Sequence, residues 1–266
     1  MTPRGPGRAV RLSHLTFTGA DDSVDPGELA RLSAEAPLIE WGILLSAEDE
    51  GRPRFPSKAW HAAFLRAAPR VRCAAHVCGE TLLAMVAAQG LSGPYQRMQL
   101  NFDRRTLPPA VLQSLLDASR RRDTATATAS PVRWPPVWIT QHHEANASLH
   151  ERFAGCHAVL FDASDGNGLS PVEWPQALQT VPCGYAGGLG AHNIEVQLPR
   201  IAAAAAGSAG AVWIDMESAL RSGNAGERFD LERVRGVVEI VRAFADRGAL
   251  DPDATLHVPA GSHLSA

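Results

Sequence analysis

The sequence predicts an α/β fold, a (β/α)8 barrel formed by a single domain over residues 1–266. Eight short apolar runs, each ending in a polar or glycine-rich turn, alternate along the chain with helix-like stretches. This alternation is typical of a parallel sheet with helical crossovers. A single barrel of this kind typically needs about 250 residues, and the chain has 266. The strand count favours a closed barrel, and an open doubly wound sheet is the alternative.

Strands and helices are predicted in regular order along the chain. The strands are predicted over residues 10–18, 38–45, 71–77, 97–102, 137–141, 158–162, 182–186 and 211–216. The helices are predicted from Pro26 onward and over residues 58–67, 82–88, 109–119, 147–153, 171–178, 195–206 and 231–246. Proline at the first helical position favours three of these starts. Residues 1–9 are predicted to be a loose arm, and residues 248–266 a surface tail.

Composition and charge narrow the classes of function. The net charge is −3 and the pI is about 6.4, which does not indicate a partner such as nucleic acid or a membrane surface. The sequence contains no run of about 18 apolar residues, so no transmembrane helix is predicted. The basic start of the chain is not followed by the apolar core of a signal peptide. We therefore expect a cytoplasmic protein with a small-molecule substrate.

The cysteines and histidines raise the question of a metal. The four cysteines are Cys73, Cys78, Cys156 and Cys183, and three of them fall in or beside predicted buried strands, which favours reduced core thiols. His76, Cys78, His142 and His143 could instead bind zinc, since imidazole and thiolate suit that metal. Their spacing matches no known zinc signature, so we expect neither a metal nor another cofactor.

The most informative stretch runs over residues 159–222. Asp162 ends a strand, a loop with Gly166 and Gly168 follows, and Trp174 comes after it. Further along are Ala-Gly-Gly-Leu-x-x-x-Asn at residues 186–193 and Asp-x-x-Ser at residues 215–218. This ordered set resembles the C-terminal half of phosphoribosylanthranilate isomerase. That family is a (β/α)8 barrel of the ribulose-phosphate-binding type, which opens a ribose phosphate by an Amadori rearrangement.

The resemblance implies roles for several residues. Asp162 corresponds to the general acid that protonates the ribose ring oxygen, and its alternative role is to cap the loop that follows. Gly187, Gly188 and Ser218 correspond to a phosphate site after strands 7 and 8, a common place for such a site in barrels. The alternative is that the glycines only permit a tight turn. Gly166 and Gly168 would add a flexible substrate-binding loop.

Two departures from the family pattern affect the expected chemistry. Glu217 and Ala219 stand where the family has serine and glycine, and Glu217 would repel a phosphate unless Arg221 compensates. Strand 1 carries His14-Leu15-Thr16-Phe17 where the family has Lys-Ile-Cys-Gly, whose cysteine is the general base. The candidates for this base are His14 and Thr16, with Cys78 as a further possibility, because the rearrangement needs both an acid and a base.

Other polar residues are predicted at the strand ends, where the functional face of such a barrel lies. As substrate-binding or phosphate-binding residues we expect His76, Asn101, Gln141, His142 and Asp215, together with the glycines and Ser218. The sequence thus predicts an acid–base isomerase or lyase that acts on a small phosphorylated sugar-like substrate. The alternatives are a non-catalytic metabolite-binding barrel and a metal-assisted hydrolase or lyase that uses the pocket histidines.

Overall fold

Eight parallel strands form a closed barrel in the computed structural model, so the predicted fold class is confirmed. The structure describes residues 10–67, 71–91, 93–124, 135–142, 145–149, 152–153, 157–162, 169–208, 210–224, 227–248 and 250–252. The barrel strands are β1 Val10–Thr18, β2 Ile39–Ser46, β3 Cys73–Cys78, β4 Arg97–Asn101, β5 Val137–Gln141, β6 His157–Asp162, β7 Cys183–Ala186 and β8 Val212–Met216. Each pairs with its neighbour, and β1 pairs with β8 to close the ring.

Six α-helices in the described residues cover the outside of the barrel. They are α1 Pro26–Glu35, α2 Lys58–Ala67, α3 Glu80–Gln89, α4 Pro109–Thr124, α5 Ile194–Ala204 and α6 Leu231–Asp246. The last of these buries Val234, Val237, Val238 and Val241 on one face, as the helical spacing of these valines requires. The main apolar core therefore lies between the sheet and the helices. No helix of the described part is long and apolar enough to span a membrane.

The prediction of a helix over residues 171–178 is wrong, because this segment is irregular. Pro175 has no amide hydrogen and disfavours helical backbone at Trp174. The segment's polar groups bond to other elements instead. Nε1 of Trp174 donates to the side chain of Gln197 at 2.9 Å, and the carbonyl of Pro175 accepts from the hydroxyl of Tyr185 at 3.0 Å.

The short helix expected over residues 147–153 is reduced to one 3-10 turn, Ala147–Leu149, within its described residues. Buried Asn146 accounts for the tight turn, since its amide donates to the carbonyl of Phe102 and its oxygen accepts from the backbone of Arg104. This side chain ties the loop after β5 to the loop after β4.

Three short strands lie outside the predicted set. Strands β9 Arg221–Ser222 and β10 Arg228–Phe229 form an antiparallel pair that follows the 3-10 turn Ser218–Leu220. Strand β11, Leu250–Pro252, pairs in parallel with the start of β1. Part of the expected tail is therefore hydrogen-bonded to the sheet, and residues 253–266 lie outside the described part.

A buried polar cluster fills the barrel interior around Glu40. The guanidinium of Arg97 donates from Nε to both carboxylate oxygens of Glu40, at 3.1 and 3.0 Å, and Thr16 donates to the same carboxylate at 3.0 Å. Nε2 of His14 lies 3.6 Å from Glu40, and Arg97 stacks over the ring of Trp213 at 4.4 Å. We call these five residues the Glu40 cluster. Burial would raise the pKa of Glu40, but the Arg97 charge and these hydrogen bonds hold it at about 2.

Candidate active site in the barrel mouth

A pocket of about 470 Å³ opens at the carboxyl ends of the strands. All eight barrel strands contribute residues to it, and the loop between β2 and α2 adds Arg54 and Phe55. A functional pocket is expected at this face of a barrel, because the loops that follow the strands are free to vary there.

The floor of the pocket contains Thr18, His76 and Asp215. The hydroxyl of Thr18 donates to Oδ1 of Asp215 at 2.7 Å, and Oδ2 of Asp215 lies 3.7 Å from Nε2 of His76. Burial raises the pKa of Asp215 well above its ordinary value and lowers the pKa of His76 to about 3. Both shifts favour the uncharged forms of the two side chains.

One wall of the pocket holds amide and thiol groups from β3 and β4. The side-chain amide of Gln99 donates to Asn101 at 2.9 Å, and Asn101 in turn donates to the sulfur of Cys78 at 3.1 Å. Burial raises the pKa of the Cys78 thiol to about 11. A thiol in this state is a poor base and a poor nucleophile near neutral pH, so Cys78 does not replace a catalytic cysteine.

The opposite wall combines Asp162 with the glycine turn after β7. Asp162 pairs in register with Ala186, the residue directly before Gly187. Gln141 donates to Asp162 at 3.4 Å. A carboxyl group and the start of the glycine turn are therefore neighbours across two adjacent strand ends.

The glycine turn has a backbone that favours glycine. Gly187 and Gly188 have φ values of 129° and 56°, in the region that side chains other than glycine rarely adopt. The side chain of Asn193 fixes the turn, because its nitrogen donates to the carbonyl of Gly188 at 2.8 Å and its oxygen accepts from the amide of Gly190 at 3.0 Å. Within the described residues, the amides of Gly188 and Leu189 have no hydrogen-bond acceptor.

An ion pair between Arg54 and Glu217 lies at the rim, with 2.7 Å between Nη1 and Oε1. Arg54 has a φ of 80°, and its amide donates to Asp21 at 2.6 Å, which holds the strained loop in place. Arg221 does not compensate Glu217, contrary to the possibility considered from sequence. Its guanidinium is buried and donates to Asp21 and to the carbonyls of Gly19 and Glu227.

The charged side chains of the pocket lining are mostly acidic. Asp103, Asp162, Asp215 and Glu217 line it, and Arg54 is the only lysine or arginine side chain among the described lining residues. An anionic substrate group therefore has two sources of attraction here, the Arg54 guanidinium and the free backbone amides of the glycine turn.

The chain resembles solved (β/α)8 enzymes in fold. One is a truncated 3-deoxy-D-arabino-heptulosonate 7-phosphate synthase from Thermotoga maritima, with a TM-score of 0.53 and 12% identity over 91% of this chain and 90% of that one. A longer structure of the same synthase has a TM-score of 0.53 and 13% identity, over 91% and 71%. The 3-hexulose-6-phosphate synthase of Salmonella typhimurium has a TM-score of 0.50 and 10% identity, over 86% and 99%. Such identities show the shared fold alone.

No family model and no curated protein matches the sequence.

Eight of the site residues expected from sequence line the pocket together. They are His76, Asn101, Gln141, Asp162, Gly187, Gly188, Asp215 and Ser218. His142 is not among the lining residues and packs its ring 4.7 Å from the ring of Phe161. Gly166, Gly168, His143 and Cys156 lie outside the described residues. Within the described part, no group of three or more potential metal ligands is present.

The two candidate bases on β1 lie in the Glu40 cluster and do not line the pocket. His14 and Thr16 point into the barrel, as their shared parity predicts, but both contact the Glu40 carboxylate. The β1 side chain that lines the pocket is Thr18, one pleat further along the strand. The pocket lining therefore includes neither His14 nor Thr16. At its floor, His76 is the side chain with a basic nitrogen.

Sequence reasoning missed Arg54 and Phe55. They belong to a polar, proline-rich stretch over residues 52–57, and Arg52, Arg54 and the following Lys58 look alike in the sequence as exposed cations. The amide of Arg54 donates to Asp21, 33 positions away, and its guanidinium pairs with Glu217. Such long-range contacts leave no local sequence signal.

Proposed function

We propose that this protein is an acid–base enzyme, an isomerase or a lyase, that acts on a small phosphorylated sugar-like substrate. The observation that carries the proposal is the adjacency of Asp162 and the glycine turn at the ends of β6 and β7. Proton transfer needs a positioned acid, and a phosphate needs amides or cations that are not already paired. This wall of the pocket supplies both.

The names of the fold relatives agree with this class of substrate. Two of the similar barrels are named as synthases of a heptulosonate 7-phosphate and of a hexulose 6-phosphate. The resemblance of residues 159–222 to phosphoribosylanthranilate isomerase favours an Amadori-type isomerisation as the first reaction to examine. In that reaction Asp162 would protonate the ring oxygen of the bound sugar.

The phosphate is assigned to the glycine-turn amides and the hydroxyl of Ser218. Glu217, next to Ser218, is already neutralised by Arg54, which reduces its repulsion of an anion. A Ser218→Ala variant should weaken the binding of inorganic phosphate several-fold in titration calorimetry. An Arg54→Gln variant should weaken it more, because Glu217 then loses its counter-charge. Unchanged phosphate affinity in both variants would refute this assignment.

The enzyme assignment is tested by turnover of phosphoribosylanthranilate, followed as loss of anthranilate fluorescence. We expect Asp162→Asn to lower kcat by about 10²–10⁴, the usual contribution of a general acid. Asp117→Asn, on the exposed side of α4, is the matched control and should leave kcat unchanged. A panel of aldose and ketose phosphates followed by NMR extends the assay to other sugars.

A non-catalytic metabolite-binding barrel is the second candidate. The observation that favours it is the place of Thr16, which stands where the resembled family has a cysteine base and donates to buried Glu40 instead of lining the pocket. It predicts that sugar phosphates bind in calorimetry and that no member of the panel is converted. That outcome would contradict the enzyme proposal.

A further inference from the structure

The pocket floor holds two buried polar atoms with no hydrogen-bond partner in the described structure. They are Nε2 of His76 and Oδ2 of Asp215, in side chains that are 2% and 5% exposed. The two atoms lie 3.7 Å apart, which is longer than a hydrogen bond. Buried polar groups are nearly always satisfied, so two facing unsatisfied atoms on a pocket floor indicate a site for a ligand.

The arrangement is held in place by two neighbouring residues. The hydroxyl of Thr18 occupies Oδ1 of Asp215 at 2.7 Å and leaves Oδ2 as the free oxygen. Gly42 on β2 leaves space for the Thr18 hydroxyl and the His76 ring. A Cβ there would lie 2.1 Å from the Thr18 hydroxyl and 3.0 Å from Nε2 of His76. Any larger residue at this position would push the pair apart.

The charges around the pair leave one proton to be shared. Besides burial, three charged groups shift the pKa values of His76 and Asp215. Glu40 and Arg97 of the Glu40 cluster have opposite effects, and Glu217 acts from the rim. Burial is the largest influence on both side chains. It keeps the imidazole neutral and the carboxyl protonated. Since Oδ1 accepts from Thr18, a carboxyl proton on Oδ2 would face Nε2 of His76.

We propose that His76 and Asp215 are a proton-relay pair for a substrate with a carbonyl next to a hydroxyl. Asp215 gives its Oδ2 proton to the carbonyl oxygen, and Nε2 of His76 takes the proton of the neighbouring hydroxyl. A donor and an acceptor 3.7 Å apart match two oxygens on adjacent carbons of an open-chain sugar. The substrate class rests on the function proposed above.

The step is balanced in bonds and charge. The Asp215 O–H bond and the substrate O–H bond break, and one O–H bond at the former carbonyl and one N–H bond at His76 form. The pair is left as an imidazolium and a carboxylate, and a single proton passed from Nε2 to Oδ2 restores it. The carbon-bound proton is transferred by Asp162, the acid–base residue of the proposed function. No oxidant or reductant is needed.

The first test needs no substrate. Infrared spectra at pH 7 should contain the carbonyl band of a protonated Asp215, which disappears in Asp215→Asn and persists in Asp117→Asn. Thr18→Val, which removes the hydrogen bond to Oδ1, should shift this band and serves if Asp215→Asn does not fold. Absence of a protonated carboxyl band in the wild-type protein would overturn the proposal, because Asp215 would then be an ionised partner of His76.

The second test compares two buried histidines during turnover of the aldose or ketose phosphate that the panel identifies, because its open-chain form has a carbonyl next to a hydroxyl. We expect His76→Gln to lower kcat by about 10²–10⁴ with KM changed only a few-fold. His157→Gln, at a buried histidine that does not line the pocket, should leave kcat within about threefold of wild type. Unchanged kcat in His76→Gln, with activity lost in Asp162→Asn, would refute the relay and leave the proposed function intact.

If no sugar phosphate is converted, the proposed function fails and the infrared result alone judges the pair. Added ribose 5-phosphate should shift the carboxyl band of Asp215 in the wild-type protein. Loss of this shift in His76→Gln would still support the pair as a binding site for a hydroxycarbonyl group. A band that does not respond to any sugar phosphate in the wild-type protein would contradict it.

Discussion

Arg97 and Glu40 show how single residues determine the character of the barrel interior. Both are almost fully buried, and a buried charge is tolerated only when it is paired and hydrogen-bonded. Arg97 meets this need through Glu40, Thr16 and the face of Trp213. The same packing separates His14 and Thr16 from the pocket, so a structural ion pair at one depth of the barrel decides which residues are available for chemistry at another.

An Arg97→Met substitution should strongly destabilise the fold. It leaves the Glu40 carboxylate buried without its counter-charge, and breaking such a pair typically costs about 3–5 kcal/mol of unfolding free energy. Urea unfolding at pH 7 measures the change. Arg120→Met, which breaks an exposed ion pair with Asp117 on α4, is the control and should leave the midpoint nearly unchanged. Similar losses in both variants would contradict the role given to Arg97.

At the scale of elements, apolar runs bounded by turn residues located all eight strands to within a few positions. Helix prediction was less reliable, because the backbone of residues 171–178 can bond to other elements. Tyr185 of β7 donates to Pro175, and the amide of Ala177 donates to the end of α5 at 3.0 Å. Proline and tryptophan patterns in the segment are compatible with either outcome, and these long-range bonds decide between them.

The approach of β7 to β8 depends on Gly184. A Cβ at this position would lie 2.1 Å from the ring of Trp213, so Gly184→Ala should destabilise the protein by about 1–3 kcal/mol through overpacking. Thermal unfolding measures the loss. Gly207→Ala is the matched control, since nothing lies within 4 Å of a Cβ there, and it should be neutral. An equal loss at both glycines would contradict overpacking at Gly184, because the effect of Gly→Ala on the unfolded chain is by itself stabilising.

For the whole molecule, the distribution of ionisable groups predicts how stability depends on pH. The pKa of Glu40 is about 2 in the folded chain and 4.5 for the ordinary side chain, so the unfolded state binds more protons between these values. The stabilisation from ionised Glu40 is complete above pH 4.5 and is lost as the pH falls toward 2. His76 acts in the same direction between pH 6.5 and about 3, because its pKa is lowered.

A Glu40→Gln variant should lack part of this acid sensitivity. The unfolding free energy, obtained from urea titrations at pH values from 6 to 2, should fall less steeply than in the wild-type protein. The difference should be on the order of 3 kcal/mol over this pH range. Asp215 has a raised pKa, so its stabilisation falls as the pH rises above 3.8. Burial, the largest cause of this shift, is common to both proteins, whereas the smaller effect of the Glu40 charge on Asp215 is lost in the variant. Parallel curves for the two proteins would contradict the low pKa of Glu40.

The sequence by itself determined the alternation of strands and helices, the positions of the eight strands and the parity of the residues that point inward. These follow from local periodicity, because alternate residues of a strand face the same side. It also placed Asp162, the glycine turn and Asp215 at strand ends. Such residues meet at one face of any parallel barrel.

Only the tertiary structure decided how deep each inward residue lies. His14, Thr16 and Thr18 share one parity, yet only Thr18 lines the pocket, because the depth of a residue depends on the stagger of all eight strands. The pairing of His76 with Asp215 and the turn of Arg54 toward the mouth are likewise contacts between distant positions. They arise from the closed packing of the barrel, and no local pattern in the chain encodes them.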